Sequence, residues 1–271
     1  MSEFFSKRIV ITGASSGIGK ALALYFSSQK SRLALCARDL DALQQVKNEC
    51  LLKGATQVEI YSCDVAVKQE CDNFIGFAAL NLQGIDILIN NAGISMRSLF
   101  KDLKPEIIEK VMAVNFFGTV YCTHAALPYL LQSKGSVVGI SSIAGIVGLP
   151  ARTGYSASKF AMHGFLESLR CENLHKGLHV LIACPGFTAS NIRLKALNSQ
   201  GNQQAESPRD ETKMMQADEV AFYIANSIKR RKNFLVLTLQ GKLTYWLSKL
   251  LPSILIKLIF NHFKKEPNSG L

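Results

Sequence analysis

The chain is predicted to fold as an α/β, doubly wound domain, and three observations predict it. Short apolar runs alternate with longer stretches whose apolar residues fall three and four apart, which is the spacing of one helix face. The short runs are rich in Val, Ile and Leu and carry few charges, as strands buried on both faces of a parallel sheet do. No Ser/Gly-rich linker interrupts the 271 residues, so a single domain with a C-terminal extension is expected rather than two domains.

Taken in order, the strands are predicted at Arg8–Ile11, Arg32–Ala37, Gln57–Ser62, Ile85–Asn90, Ser136–Ser141, Leu178–Ala183 and Phe234–Thr238. Helical patterns between them include Lys20–Ser28, Leu40–Leu52 and Pro105–Leu131. Strand, helix and strand at this spacing imply right-handed crossovers and helices on both faces of the sheet. After Thr188 the pattern loosens, and the polar run 198–212 reads as a loop. A loop of that length inside a domain is either a binding lid or a plain surface insertion.

Composition removes several function classes. The apolar share of 48% is ample for a buried core and argues against disorder. The formal charge of +11 suits a solvated basic surface, an anionic ligand or an anionic membrane surface. Nucleic acid is not an expected partner, because aromatic residues do not alternate with the basic clusters as a stacking platform requires. Seven cysteines, at Cys36, Cys50, Cys63, Cys71, Cys122, Cys171 and Cys184, form no CxxC pair and fall mostly in apolar stretches. They read as reduced thiols of a cytoplasmic protein, with no disulfide framework and no metal ligand set. The first strand begins almost at once, so neither signal peptide nor leading membrane helix is expected. Four of the five histidines, His124, His163, His175 and His179, have no matching partners and are expected to pack or face solvent.

Chemistry enters at Thr12-Gly13-Ala14-Ser15-Ser16-Gly17-Ile18-Gly19, between the first strand and a helix. A tight glycine turn there brings backbone N–H groups and a helix N-terminus to a pyrophosphate. Glycines are needed where a side chain would block the phosphates or force a poor backbone angle. Further on, Tyr155 and Lys159 stand four apart on one helix face. An ammonium beside a phenol stabilises the phenolate and makes Tyr a usable acid or base.

The G-x-x-x-G-x-G spacing, Asn90-Asn91-Ala92-Gly93 after the fourth strand and Tyr155-Ser156-Ala157-Ser158-Lys159 together resemble the short-chain dehydrogenase/reductase family. The resemblance runs from about Lys7 to Thr238. It implies a Rossmann-like fold with a seven-stranded parallel sheet and hydride transfer between a nicotinamide cofactor and a carbonyl or alcohol carbon. The domain is then expected at 1–240, with an amphipathic extension at 241–271.

The resemblance also assigns residues. Gly13, Ser15, Ser16, Gly17, Ile18 and Gly19 would hold the diphosphate. Asp64 with Val65 would contact adenine, although an Asp there equally suits a loop cap. Asn91, Ala92 and Gly93 would lie along the adenosine side and support the central strand. The family's acidic position at the end of the second strand is Ala37, and Arg38 follows. A guanidinium there suits a 2′-phosphate, which favours NADP(H) over NAD(H); Asp39 is expected to cap the next helix. Ser142, thirteen positions before Tyr155, would orient the substrate oxygen. Asn115 would support a proton relay, and Lys159 would also grip the nicotinamide ribose beside Tyr155. Pro185, Gly186 and Thr188, with Ser190 as a second choice, would approach the nicotinamide.

The substrate is expected to be an apolar or lipid-like ketone, held by 143–149 and the 187–215 region. The rival reading is a non-catalytic NADP(H)-binding scaffold or sensor. A nucleotide-sugar epimerase or dehydratase is disfavoured by the glycine spacing. Homo-oligomers, dimer or tetramer, are common in the family.

In the extension, apolar residues recur at 243, 246, 247, 250, 251, 254, 255, 258 and 259, with Lys242, Lys249 and Lys257 near an opposite face. This is an amphipathic helical pattern broken at Pro252. Two internal lysines and the proline argue against a membrane span. The extension is expected to cover the pocket, to form a subunit contact, or to lie peripherally on a membrane surface with its lysines at anionic headgroups.

Overall fold

The computed structural model describes residues 3–189, 192–204 and 214–266. Seven parallel strands form one sheet: β1 (Arg8–Thr12), β2 (Arg32–Ala37), β3 (Gln57–Ser62), β4 (Ile87–Asn90), β5 (Ser136–Ile140), β6 (His179–Cys184) and β7 (Phe234–Val236). Their order is β3-β2-β1-β4-β5-β6-β7. Two apolar layers close the two faces. One packs Leu22 and Phe26 with Leu43 and Ile224; the other packs Phe74 and Ile75 with Cys122 and Leu166. The Rossmann-like doubly wound architecture follows from these residues, because alternate positions of each buried strand must be apolar on both sides.

The strand order reverses between β1 and β4, which pair in parallel through Ile9 with Ile87 and Ile11 with Ile89. In an open parallel sheet, such a reversal leaves a crevice at the carboxyl ends of the strands. The pairing is tied at its far end by Arg8, whose backbone N–H and Nε each donate to Asp86 Oδ2 at 2.9 Å. Burial pushes the Asp86 carboxyl upward, but the hydrogen bonds from Arg8 outweigh it and hold the group below its ordinary value.

The predicted helix 105–131 is interrupted. It divides into α4 (Pro105–Met112) and α5 (Gly118–Gln132) around a five-residue wide turn, Ala113–Phe117. Periodicity could not show this, since one inserted residue in a helix leaves the apolar spacing nearly intact. The other helices are α1 (Gly17–Ser28), α2 (Leu40–Leu52), α3 (Lys68–Leu82), α6 (Thr153–Glu172) and α7 (Ala217–Lys229). Asp39 caps α2, its carboxylate accepting from the Ala42 N–H at 2.9 Å. Six of the seven cysteines are buried as free thiols, and Cys171 is exposed.

The extension forms α8 (Leu239–Leu250) and α9 (Pro252–Phe263), parted at Pro252. It packs back on the domain through Gly241, Leu255 and Phe263. Most of its predicted apolar stripe is not used for that packing. Leu243, Trp246, Leu250, Leu251, Ile254 and Leu258 are exposed, beside the exposed lysines Lys242, Lys249 and Lys257. No helix among the described residues is long and apolar enough to cross a membrane.

Candidate active site

The turn after β1 is held by backbone approach. Gly13 has φ +64° and Gly17 φ +55°, angles that side-chain-bearing residues seldom adopt. A Cβ on Gly13 would come 2.7 Å from Ala92 Cα, and one on Gly19 would come 2.3 Å from the Gly13 oxygen. Asn91 locks the same turn, donating from Nδ2 to the Thr12 and Gly13 oxygens at 2.9 Å each. Its side chain is therefore spent on the turn itself. Ser16 precedes α1 with an extended backbone and makes no side-chain cap. The first N–H groups of that twelve-residue helix thus open onto the crevice, with Ser15 and Ile18 partly exposed around them. This cradle fits a pyrophosphate, whose charge the helix end favours.

At the end of β2, Arg38 is exposed and follows Ala37 directly. Beyond β3, Asp64 acts as a loop cap, accepting from the Ala66 N–H at 3.0 Å. The neighbouring Val65 side chain is buried against Gly118. Gly93 stands beside a different group of residues. A Cβ there would be 3.2 Å from Asn115 Oδ1 and 3.6 Å from Lys159 Nζ. The Asn-Ala-Gly segment therefore runs from the glycine turn at Asn91 to the Asn115–Lys159 group at Gly93.

Asn115 lies in the wide turn between α4 and α5 and is fully buried. Its Oδ1 accepts from the Ile94 N–H at 2.8 Å, and its Nδ2 donates to the Ile94 oxygen at 3.0 Å and to Ser158 Oγ at 2.9 Å. It pins the loop after β4 to α6, one residue from Lys159. Such widened turns recur at functional sites because they re-aim one side chain without ending the helix.

Lys159 is buried, and its Nζ donates to the Ile140 oxygen at 2.8 Å. Burial lowers its pKa to about 8. The same Nζ is 5.8 Å from the centre of the Tyr155 ring. Burial pushes the Tyr155 phenol up, while a hydrogen bond with Ser142 and the charges of Arg152 and Arg193 pull it down. Ser142 also accepts from the Ala144 N–H at 3.2 Å. The structure thus brings Asn115, Ser142, Tyr155 and Lys159 together at the carboxyl ends of β4 and β5.

Pro185 and Gly186 follow β6, and a Cβ on Gly186 would meet Thr238 at 2.9 Å. Thr188 is buried, donating to the Gly186 oxygen at 3.3 Å. Ser190 lies outside the described residues, as does 205–213 of the predicted loop. The described part, 192–204, folds over the cleft: Leu197 bridges Met96 and is buried with Leu103, Ile107 and Val111, against which Tyr155 packs.

Sequence reasoning gave His163 no role, yet it lies directly behind this group. Its Nε2 is 2.6 Å from Ser141 Oγ and 3.6 Å from Cys184 Sγ. Burial, then Lys159 and Lys249, lower its pKa to about 4. Its position one helical turn after Lys159 on α6 was the available signal.

A glycine cradle at the strand-order reversal, joined to a Ser, Tyr, Lys and Asn cluster, defines an oxidoreductase of the short-chain dehydrogenase/reductase family, and the chain belongs to it. The family model for short chain dehydrogenases matches residues 7–201. The chain is 32% identical over 268 residues to dehydrogenase/reductase SDR family member 7B of Mus musculus, spanning 96% of this chain and 82% of that one. It is 35% identical over 253 residues to dehydrogenase/reductase SDR family protein 7-like of Drosophila melanogaster, spanning 92% and 78%. Against 11-beta-hydroxysteroid dehydrogenase-like 4A of Arabidopsis thaliana it is 35% identical over 252 residues, spanning 92% and 82%. Among solved structures, the fold matches an alcohol dehydrogenase from the archaeon Thermococcus sibiricus, complexed with 5-hydroxy-NADP. The TM-score is 0.74 at 23% identity, covering 85% of this chain and 95% of that one.

Proposed function

We propose that the protein is an NADP(H)-dependent carbonyl reductase acting on apolar or lipid-like ketones. One observation carries the reading: Ser142, Tyr155 and Lys159 meet beside the glycine cradle, with Asn115 bracing them. When bound, NADPH supplies the hydride. Ser142 holds the carbonyl oxygen by a hydrogen bond and aims it at Tyr155. Tyr155 donates its phenolic proton to that oxygen as it becomes an alkoxide. Lys159, when charged, stabilises the phenolate left behind and offers donors to the nicotinamide ribose. The helix N-terminus of α1 holds the diphosphate, and Arg38 takes the 2′-phosphate, since no acidic residue stands at Ala37 to repel it. Gly93 leaves room for the ribose beside Asn115 and Lys159.

The test is NADPH oxidation by wild type and Tyr155→Phe over aliphatic, steroid and sphingoid ketones. The expected result is turnover in the wild type and a loss of about a thousandfold in the variant. Turnover unaffected by the change removes Tyr155 as proton donor. Tight NADPH binding with no turnover on any ketone favours a scaffold or sensor.

The exposed apolar residues of α8 and α9, interspersed with lysines, support peripheral attachment at an anionic membrane surface. Liposome co-sedimentation at physiological salt should pull down the full chain and leave a chain ending at 240 in solution. Equal behaviour of the two sinks the attachment. Exposed rings at Phe117 and Phe160 support self-association into a homo-oligomer, which light scattering of the purified protein would measure.

A further inference from the structure

The helix α6 meets the end of β5 in a regular pattern. Tyr155, Lys159 and His163 stand four apart on one face of that helix. Each meets a different one of three consecutive residues. Tyr155 shares a hydrogen bond with Ser142. Lys159 Nζ donates to the Ile140 oxygen at 2.8 Å. His163 Nε2 lies 2.6 Å from Ser141 Oγ. The reaction above uses the first two of these helix residues and leaves the third without a task.

His163 is held from several sides. Its ring meets Phe234 edge to face, with centres 5.8 Å apart and planes at 90°. Cys184 Sγ lies 3.6 Å from Nε2, and burial pushes that thiol up to about 12, so it keeps its proton. The turn Ile143–Gly145 closes over the pair: a Cβ on Gly145 would come 2.7 Å from both His163 Nε2 and Ser141 Oγ. Burial lowers the pKa of the ring to about 4, so the imidazole is neutral at pH 7. A hydroxyl can donate to or accept from a ring nitrogen, so either neutral tautomer makes the Ser141 bond. Ser141 is itself buried, and its N–H donates to the Ala183 oxygen at 2.7 Å. It is therefore fixed to β6 by its backbone and to α6 by its side chain. A single planar peptide unit separates it from Ser142, so holding Ser141 holds the backbone from which the Ser142 hydroxyl is aimed.

We propose that His163 is a positioning residue: through Ser141 it clamps the exit of β5 and aims the Ser142 hydroxyl at Tyr155. The inference rests on the carbonyl-reductase reading and adds to it a residue that acts only through its neighbour. A misaimed Ser142 costs the transition state more than the ground state. The carbonyl oxygen gains its charge only as hydride arrives, whereas an apolar body supplies most of the substrate's binding.

The test is ketone reduction and crystallography of the full-length chain carrying His163→Leu, which fills the space without a hydrogen-bonding atom, or His163→Gln, which restores one. With NADPH and the ketone turned over fastest, His163→Leu should lose about thirtyfold in kcat, with KM changed by less than about twofold. His163→Gln should keep most of the wild-type kcat. Ser141→Ala removes the same bond from the other side and serves if the leucine variant does not fold. It should lose as much as His163→Leu, and adding His163→Gln to it should cost nothing more. In crystals of His163→Leu or Ser141→Ala with NADPH, Ser142 Oγ should have left hydrogen-bonding distance of Tyr155. A merely loosened fold would instead lower Tm and leave the kcat of the folded protein intact. Unchanged kcat in both the leucine and alanine variants, a loss carried by KM alone, or equal losses with leucine and glutamine would overturn the clamp. Wild type that turns over no ketone overturns the reductase instead, and the crystals then decide the clamp by themselves. Ser142 still bonded to Tyr155 in them overturns it, and a displaced Ser142 upholds it.

Discussion

The two halves of the cleft are built from different materials. On the side of the glycine turn, backbone meets backbone: Gly19 abuts Gly13, and Asn91 spends its side chain on the oxygens of residues 12 and 13. On the opposite side, the 192–204 loop is held by the Met96–Leu197 bridge and a small apolar cluster, and the extension by Leu255, Phe263 and the Arg152–Glu266 ion pair. At Gly13 and Gly19 the first half leaves no room for an added atom. The second can exchange side chains and loops without disturbing the sheet. A ligand of constant shape, such as a diphosphate, suits the rigid half, and a ligand to be selected suits the softer one.

The sharpest way to break this contrast is Gly19→Ala. The new methyl would meet backbone that cannot move aside, so a loss of about 3 kcal/mol in unfolding free energy is expected. The stabilisation that NADPH gives the wild type in thermal melts should disappear as well. A variant that melts normally and still responds to NADPH would show the turn to be softer than its contacts imply.

His163, packed against Ser141 and Cys184 on the inner face of α6, links stability to pH. Its folded pKa is lowered by burial from 6.5 to about 4. An unfolded chain therefore binds the proton first, and the stability of the neutral buried form is complete above pH 6.5. It is lost as pH falls through about 4, an effect of up to about 3 kcal/mol. Urea unfolding from pH 7 to pH 4 should show this slope in wild type, and His163→Gln should flatten it.

A smaller effect is expected from Arg38→Ala at the rim of the rigid half. NADPH affinity should fall about tenfold while NADH affinity holds, since only the 2′-phosphate loses a partner. Equal weakening of both cofactors would place Arg38 elsewhere.

The smallest effect concerns Lys159, whose pKa burial lowers to about 8. Reduction should decline as pH rises through about 8, because the neutral amine no longer stabilises a phenolate. Lys159→Arg should move that limb to higher pH, as a guanidinium keeps its proton. The kcat–pH profile of both proteins checks it.

How far the site could be read from residues varied along the chain for physical reasons. The glycine turn was legible because positive φ and close backbone approach leave few residue types to choose from. Tyr155 and Lys159 were legible because a helix fixes the neighbours of any residue four positions away. Asn115 was found, but the widened turn that aims it was not, since apolar spacing survives one inserted residue. Gly93 was expected along the adenosine side; its neighbours are Asn115 and Lys159, which only the packing of the β4 loop on α6 could place. His163 was passed over because its partners, Ser141 just after β5 and Cys184 at the end of β6, are distant in the chain.

The extension divides the same way. Its two helices and their break at Pro252 follow from local periodicity and from a ring that cannot continue a helix. Which of its apolar residues would find a core did not follow, and most of the stripe stays exposed.

The amino-acid sequence alone determined the doubly wound sheet, the glycine cradle and the Tyr–Lys pair, since each rests on local geometry or on periodic burial. Tertiary structure decided what distance along the chain conceals. It set His163 against Ser141, turned Gly93 toward Lys159 and brought Glu266 onto Arg97 and Arg152. Those contacts depend on where separate elements dock, and docking is set by the summed packing of the whole core rather than by any one segment.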